Sequence, residues 1–534
     1  MAVMNDFLTQ AIAMKALKNG GSGGAVGGNV AKESTSQEIL EMCKIIRTMV
    51  TDVQKFDWKN FWANMATGEL FSTKFYNYEK STNPAGEKLN ASKGLVAVPS
   101  TDKVKNQDDF AGRNAFNFID CNFIVNDSSE KIPVAIKGGN GFHNTGKVDV
   151  AIMTPPTYWG KEEFDGYYII HFSDTPHPEV GCTIPTPWTD ENLGYGMVTK
   201  YYAGLIDGIA YSSSGNAIYN FVSAQLANTE LKKKGAGYVG SGSERTAYLL
   251  CMLWIKYATK NSQKFFRGHV DTGSHQYKVV EAGENVNYVV ITTTQASNFY
   301  AGETVSIGVP GTDDNKDRGQ TTMNSIAKNV RITAIEAIAD TANSKVYVEK
   351  TGMTITETTY ISSMPLHSGT TDEVLGADGY LANDGKHAFK LGGIEDGVGA
   401  YFISMNELWN KTTASMVDYY IRQKGVAWSG TASGWTKVAA ADLLDSNDAW
   451  IGDINIDLST GVIWLKKPGT GDSVGVGDRI YKGGTGTGWR QALLRGLLWC
   501  GGDAGLCCAR ISGTWFLGRA GTSPSAFSPE AFQG

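Results

Sequence analysis

The apolar residues of this chain arrive in short alternating bursts, most of them closed by glycine, asparagine or aspartate. That punctuation constrains the fold more than any other feature. Successive side chains of a strand point to opposite faces, so a burst of four to eight residues with period two reads as a strand buried on one side. Phe116, Phe118 and Ile119 lead into Cys121-Asn122-Phe123-Ile124-Val125. The run from Lys147 to Met153 alternates, and Tyr167-Tyr168-Ile169-Ile170-His171-Phe172 is a compact buried strand. A second series stands at Tyr288–Ile291, Val305–Gly308, Val330–Ile335 and Lys345–Val348, between Gly, Asp and Asn turns. This is the pattern of a small barrel or sandwich. The 63 glycines, 11% aromatic residues and only 19% charged residues agree with a loop-rich, β-leaning chain.

Helical patterns are few. Residues 4–18 place Phe7, Leu8, Ala11, Ile12 and Met14 on an imperfect apolar face, and Gly20 to Gly28 follow as a flexible linker by composition. Thr35-x-x-Glu38 reads as a capping box. Beyond it Ile39, Met42, Ile46, Met49, Val53 and Phe56 are spaced 3-4-3-4-3, the seam of a coiled coil. The spacing suits a short oligomerising stalk and equally an amphipathic helix packed on its own domain. Residues 57–110 begin aromatic and lose periodicity, which predicts a connector. Residues 173–193 are rich in Pro and Thr and predict a long surface loop. Two further helices are expected at 216–227 and 244–260, the latter with Ala247, Leu250, Cys251, Trp254 and Ala258 on one face.

Composition excludes several classes. A chain of 534 residues is too long for one core, and two to four domains are expected. Net charge is −6 and no basic run exceeds Lys232-Lys233-Lys234, so the footprint of a nucleic-acid partner is missing. No apolar stretch reaches the 18 residues of a membrane span, and Asn5 and Asp6 stand where a secretion signal needs basic residues. Seven cysteines, without a C-x-x-C, make neither a disulfide framework nor a zinc site and suit assembly in a reducing cytoplasm.

Few residues point to chemistry. The seven histidines form neither an H-x-x-x-H nor an H-E-x-x-H pattern. His171 and His177 beside Asp174 and Glu179 could hold a metal, although a surface loop explains them as well. Asp313 to Gly319 has oxygen spacing like a calcium loop, but Asn324 stands where a bidentate carboxylate is needed. Gly240-x-Gly242 lacks the rest of a nucleotide fingerprint. Glu162-Glu163 and Asp453/Asp457 would fit glycosidase work only if a cleft joined them.

The last stretch carries a resemblance. Gly488-Trp489-Arg490-Gln491-Ala492-Leu493, followed by Gly501-Gly502-Asp503-Ala504-Gly505-Leu506-Cys507-Cys508, resembles the end of phage tail-fibre receptor-binding proteins. Those proteins share a C-type-lectin-like fold with the variable proteins of diversity-generating retroelements and with formylglycine-generating enzymes. Ala382 to Glu395 resembles the family's A-N-D-G-K-H-P-F-K-Y-R-G-I-E-N segment. Pro156-Thr157-Tyr158-Trp159 and Gly166-Tyr167-Tyr168-Ile169 match two earlier segments in the same order. The family's W-G-N tripeptide is replaced by Val398-Gly399-Ala400, so packing there must differ.

The resemblance implies an α+β chain: a C-type-lectin-like domain interrupted by a small all-β insert and preceded by a helical stalk. Its boundaries are an attachment peptide and linker at 1–30, the stalk at 31–60, a connector at 61–110, the lectin-like domain at 111–274 and 373–534, and the insert at 275–372. It implies a virion protein, a homotrimer assembled in the host bacterial cytoplasm. The protein would bind other tail or baseplate proteins through its N-terminus and a bacterial surface protein or glycan through its C-terminus. The ligand-binding residues would be Cys500, Asp503, Cys508, Arg510, Ser512, Gly513, Trp515 and Phe516, in a segment open to retroelement diversification. Gly496, Trp499, Ala504, Gly505 and Leu506 would be scaffold. No catalysis, cofactor or metal is expected. A structural decoration or collar protein is the alternative. A formylglycine-generating type of enzyme fits least, because Cys507 and Cys508 are adjacent with no histidine nearby.

Overall fold

The computed structural model describes residues 53–219, 222–269, 275–309, 324–381, 385–423, 425–442, 448–481, 486–494, 505–513, 520–521 and 524–525. Strands dominate, with few helices. The expected helix over 4–18, the linker, the capping box and the seam from Ile39 to Met49 lie outside the described residues. The end of the seam is described. Val53 is buried and Phe56 half-buried against a cluster that includes Trp58, Trp62, Cys121, Phe123 and Met153. These last two seam positions therefore pack on their own domain.

Helix α1 (Trp58–Met65) is capped by Asp57, whose carboxylate accepts the Asn60 N–H at 2.9 Å. The expected connector is part of the scaffold. Phe71–Tyr76 is an interior strand of a five-stranded sheet, between Glu87–Asn90 and Tyr167–Ser173, with Tyr158–Phe164 and Ile184–Pro185 beyond. Phe71, Thr73 and Phe75 alternate inward, a period-two signal only six residues long. A second five-stranded sheet runs Lys131–Ile136, Ile119–Val125, Val150–Thr154, Tyr195–Thr199, Thr189–Asp190. The expected surface loop over 173–193 is partly interior: Trp188 is buried, edge-on to Trp159 and Tyr248.

Helix α2 (Ala224–Lys232) starts later than its expected position because Ser223 caps it, accepting the Leu226 N–H, while Ile218 bridges in extended form to Gly204. Helix α3 (Ser243–Lys256) is buried on every side. It ends before Ala258, which lies at φ +46°.

Residues 276–364 form a separate six-stranded sheet, ordered Gln276–Lys278, Tyr360–Met364, Thr304–Gly308, Ala327–Ala337, Asn343–Val348, Tyr288–Thr292. The sheet encloses its own core, including Val289, Ile307, Ile332, Val346 and Ile361. Its first and last strands pair, Gln276 opposite Ser362, so the chain leaves and re-enters the host side by side. The unit ends at Met364 rather than 372. Leu366 already packs in the main core, Ser368 Oγ donates to Ser213 O at 2.6 Å, and Asp372 serves the host.

The chain then builds a nine-stranded sheet, ordered Thr436–Asp442, Met416–Ile421, Tyr401–Lys411, Gly488–Leu494, Ala509–Gly513, Arg479–Tyr481, Asp448–Ile456, Ile463–Gly469, with Ala520–Gly521 parallel to Tyr401–Phe402. One apolar cluster joins this sheet, α3 and the first sheet. Val398 and Ala400 belong to it. Polar ties reinforce the union of the two host halves: Trp159 Nε1 donates to Leu458 O at 2.8 Å, and Lys260 pairs with Asp453 at 2.6 Å.

Candidate functional site

The described parts of the final segment are built into the scaffold. Leu506 N–H donates to Ser262 Oγ and Cys507 N–H to Asp478 Oδ2, each at 2.8 Å. A Cβ on Gly505 would stand 1.8 Å from Asp478 Oδ1, so only glycine allows this approach. Leu506 is buried in the main core. Ala509–Gly513 is an interior strand, antiparallel to Gly488–Leu494 and parallel to Arg479–Tyr481. Farther on, Pro524–Ser525 pairs with Val239–Gly240.

The expected ligand-binding residues divide accordingly. Cys508 packs with Val222, Ala224, Tyr401, Ile403 and Met405 and is a core residue, since its side chain faces away from solvent. Arg510, Ser512 and Gly513 lie on this interior strand. Cys500, Asp503, Trp515 and Phe516 lie outside the described residues, as do Gly496, Trp499 and Ala504 among the expected scaffold positions.

A second site has full geometry. A cavity of about 460 Å³ opens between the chain at 98–120 and a strap at 372–378, with Lys390 and Gly393 completing the wall. The strap is fastened by backbone bonds: Ser100 N–H to Asp378 O at 2.9 Å, Tyr380 N–H to Ser100 O at 3.0 Å, Leu375 N–H to Thr101 O at 3.1 Å. Its return is the hairpin Phe389–Leu391/Ile394–Asp396. Gly392 and Gly393 are the two turn residues, at φ +55° and +84°. Positive φ at both positions suits a two-residue hairpin turn and favours glycine. Phe118 lies 2.6 Å from where a Gly393 Cβ would be, so a side chain there is excluded twice over.

The lining is charged. Asp120 Oδ2 accepts from Lys200 at 2.9 Å and from Lys137 at 3.3 Å. Burial pushes the Asp120 carboxyl up, but the two ammonium groups outweigh it and hold it below the usual aspartate value. Burial likewise pulls Lys200 down, and Asp120, Asp372 and Glu395 more than restore it. Asp372 accepts from Tyr201 Oη, from Ser214 Oγ at 2.6 Å and from Asn144 Nδ2 at 2.7 Å. Asp378 is held by Lys256, by Tyr257 Oη at 2.8 Å and by Gly392 N–H at 2.7 Å. Lys390 differs from the other cations. Only 8% exposed, its Nζ donates to Val374 O at 2.8 Å, and burial with the nearby Lys200 charge brings it down to about 8.

Nothing in the sequence pattern singled out Asp120, Lys200 or Lys390. The available signal was a lysine inside the apolar hairpin Phe389-Lys390-Leu391-Gly392-Gly393-Ile394, where a charge needs a partner.

The candidates for chemistry separate in space. Asp174 is committed to Thr67, Gly68 and Asn114, His177 to Glu179, and His171 to Ser72 and Glu162. Among the described residues no three His, Cys, Asp or Glu side chains gather as metal ligands. Ser72 Oγ, His171 and Glu162 do form a relay, with links of 2.8 and 2.9 Å. Its polarity is wrong for nucleophilic catalysis: the serine is fully buried and the carboxylate lies at the open end. A hydrolase needs the serine to meet substrate. Burial, only partly offset by Glu162, keeps His171 below its usual value and so neutral. The described cysteines are all buried, and burial pushes the Cys182 thiol up to about 12. A reactive cysteine requires the reverse. The Asp313 loop lies outside the described residues. Asp453 is bound to Lys260 and Asp457 caps its own turn at Ser459 and Thr460.

No helix among the described residues is long and apolar enough to cross a membrane. Comparison of the chain with protein-family models, with curated proteins and with solved structures returned no match.

Proposed function

We propose that this chain is a phage virion receptor-binding protein of the tail-fibre kind, which attaches the particle to a bacterial surface protein or glycan through the C-terminal surface of a C-type-lectin-like domain. In this reading residues 1–30 dock on tail or baseplate proteins, residues 31–52 help assemble a trimer, and no catalysis is involved. The ligand-facing set is Cys500, Asp503, Arg510, Ser512, Gly513, Trp515 and Phe516, open to retroelement diversification. Cys508 is reassigned to packing.

The ordered resemblance of four segments motivates the reading. One observation carries it further: Arg510, Ser512 and Gly513 lie on a pinned strand, and Cys500, Asp503, Trp515 and Phe516 fall in sequence between segments that are pinned. Gly488–Leu494 and Ala509–Gly513 are interior to the largest sheet, 505–508 is bonded to Ser262 and Asp478, and Ala520–Gly521 pairs with Tyr401–Phe402. Variable contacts held by a rigid frame suit a binding surface. The pinning is also compatible with a structural collar or decoration protein. Electron microscopy of purified particles labelled with an antibody against this chain separates the two. Label at the tail tip, together with antibody block of host adsorption, is expected. Label confined to head or collar with normal adsorption would overturn the reading.

A further inference from the structure

We propose that the cavity beneath the 372–378 strap is a second ligand site, built for an acidic oligosaccharide: the acid-bearing sugar sits between Lys390 and Asp120, and the next sugar lies on the Tyr380–His387 ring pair. The site is independent of the C-terminal residues discussed above.

Two side chains inside the cavity have unused hydrogen-bonding capacity. Asp120 Oδ1 is buried and has no hydrogen-bond partner in the protein, although Oδ2 serves two lysines. A buried carboxylate oxygen without a donor is costly, and a hydroxyl of a ligand would satisfy it. Lys390 carries three N–H donors, of which one is used on Val374 O, and among the described residues it forms no ion pair. A buried ammonium without a carboxylate calls for an anionic group. A simple anion would serve Lys390 but set its charge against Asp120. A neutral sugar would serve Asp120 and leave Lys390 unmatched. A sugar acid offers both groups on one ring, and about 460 Å³ lies within the usual range for small-ligand sites.

The neighbouring hollow extends the site. It shares Val98 and Asn106 with the cavity and is lined also by Tyr380, Leu381 and His387. The Tyr380 and His387 rings are stacked, centroids 4.8 Å apart at 22°. Tyr380 is held at φ +59°, unusual for an aromatic residue, by its bond to Ser100. Backbone strain of this kind persists only where surroundings enforce it, and it gathers at functional sites. The hydrophobic residues Val98, Leu375 and Leu381 are exposed along the mouth, with Leu381 at 56%. A flat sugar face packs on such a surface.

Titration calorimetry on the full chain with digalacturonate, its methyl ester, monogalacturonate, lactose and inorganic phosphate tests the proposal. Digalacturonate is expected to bind at least ten-fold more tightly than its methyl ester or lactose, and phosphate to bind weakly. Lys390→Met should erase the preference for the acid over the ester. His387→Ala, on an exposed side chain, should weaken digalacturonate several-fold and leave monogalacturonate unchanged. Digalacturonate no tighter than its ester, phosphate as tight as digalacturonate, or binding unchanged in both variants would each overturn the proposal. The ester comparison needs no variant, so it stands even if Lys390→Met fails to fold.

Discussion

The insert and its host are held together by different physics. The insert at 276–364 relies on apolar packing. Its strands alternate Val, Ile and Ala inward, and the ion pair it makes among the described residues, Arg331–Glu349, is half-exposed on both sides. The host buries charge. Lys256 binds Asp108 and Asp378, Lys260 binds Asp453, Lys200 binds Asp120, and Lys234 binds Asp149, every pair largely out of water. Each of these pairs joins segments that are distant in sequence. Buried pairs add little net stability over apolar replacements, but breaking one is expensive. Our hypothesis is that the host uses them to fix how its loops register, and with them the cavity, whereas the insert needs only to bury area.

That contrast can be broken in five ways, from the largest effect down. Lys256→Met leaves Asp108 and Asp378 buried without their cation. It should cost about 3–5 kcal/mol in chemical denaturation, and a loss below about 1 kcal/mol would mean that the pair merely decorates the host. Ile307→Ala, in the insert core, should cost about 2–5 kcal/mol but confine the damage to the insert. Replacing 276–364 by a short linker should leave the host with a cooperative melt, because the two ends lie side by side. An insoluble product would show that the two cores are one.

The fourth way uses pH. Burial, helped by the Glu244 charge and opposed by Ser404, raises the Glu407 carboxyl to about 7. The folded state therefore keeps a proton that the unfolded chain has released above its ordinary carboxylate value. The Glu407 contribution to stability is fully present below its ordinary value of 4.5 and is lost as pH rises to about 7, a change of about 3 kcal/mol. Glu407→Gln should flatten that slope in a series of melting curves. An unchanged slope would place the proton elsewhere, Glu395 being the other buried carboxyl raised to about 7. The smallest effect is Arg331→Met on the insert surface, expected within about 0.5 kcal/mol of wild type. A larger loss would erase the distinction between the two regions.

The insert was also the more legible region. Its strands at 288–292, 304–308, 327–337 and 343–348 coincide with the runs read from sequence; buried and more open residues alternate along 343–348 and the start of 327–337, whereas 304–308 is buried throughout. The host obscured its own pattern. Helix α3 is buried all round, so no single apolar face marked its end at Lys256. Phe71–Tyr76 was too short a strand to stand out beside its polar neighbours. The charged cavity was hidden for another reason: Asp120, Lys200 and Lys390 are far apart in sequence, and only Lys390 stands in an apolar run that marks it as needing a partner.

The central claim is that a rigid frame presents the C-terminal residues to a bacterial ligand. Its most direct test pairs two variants, Leu506→Ala and Trp515→Ala, each measured for melting temperature and for binding to host cells. Leu506 lies in the core, so its truncation should cost about 2–5 kcal/mol of stability. Trp515→Ala should leave the melting temperature unchanged and weaken attachment by about 1–3 kcal/mol. If Trp515→Ala instead unfolds the protein, or leaves attachment intact, the C-terminal segment is not the receptor-binding surface.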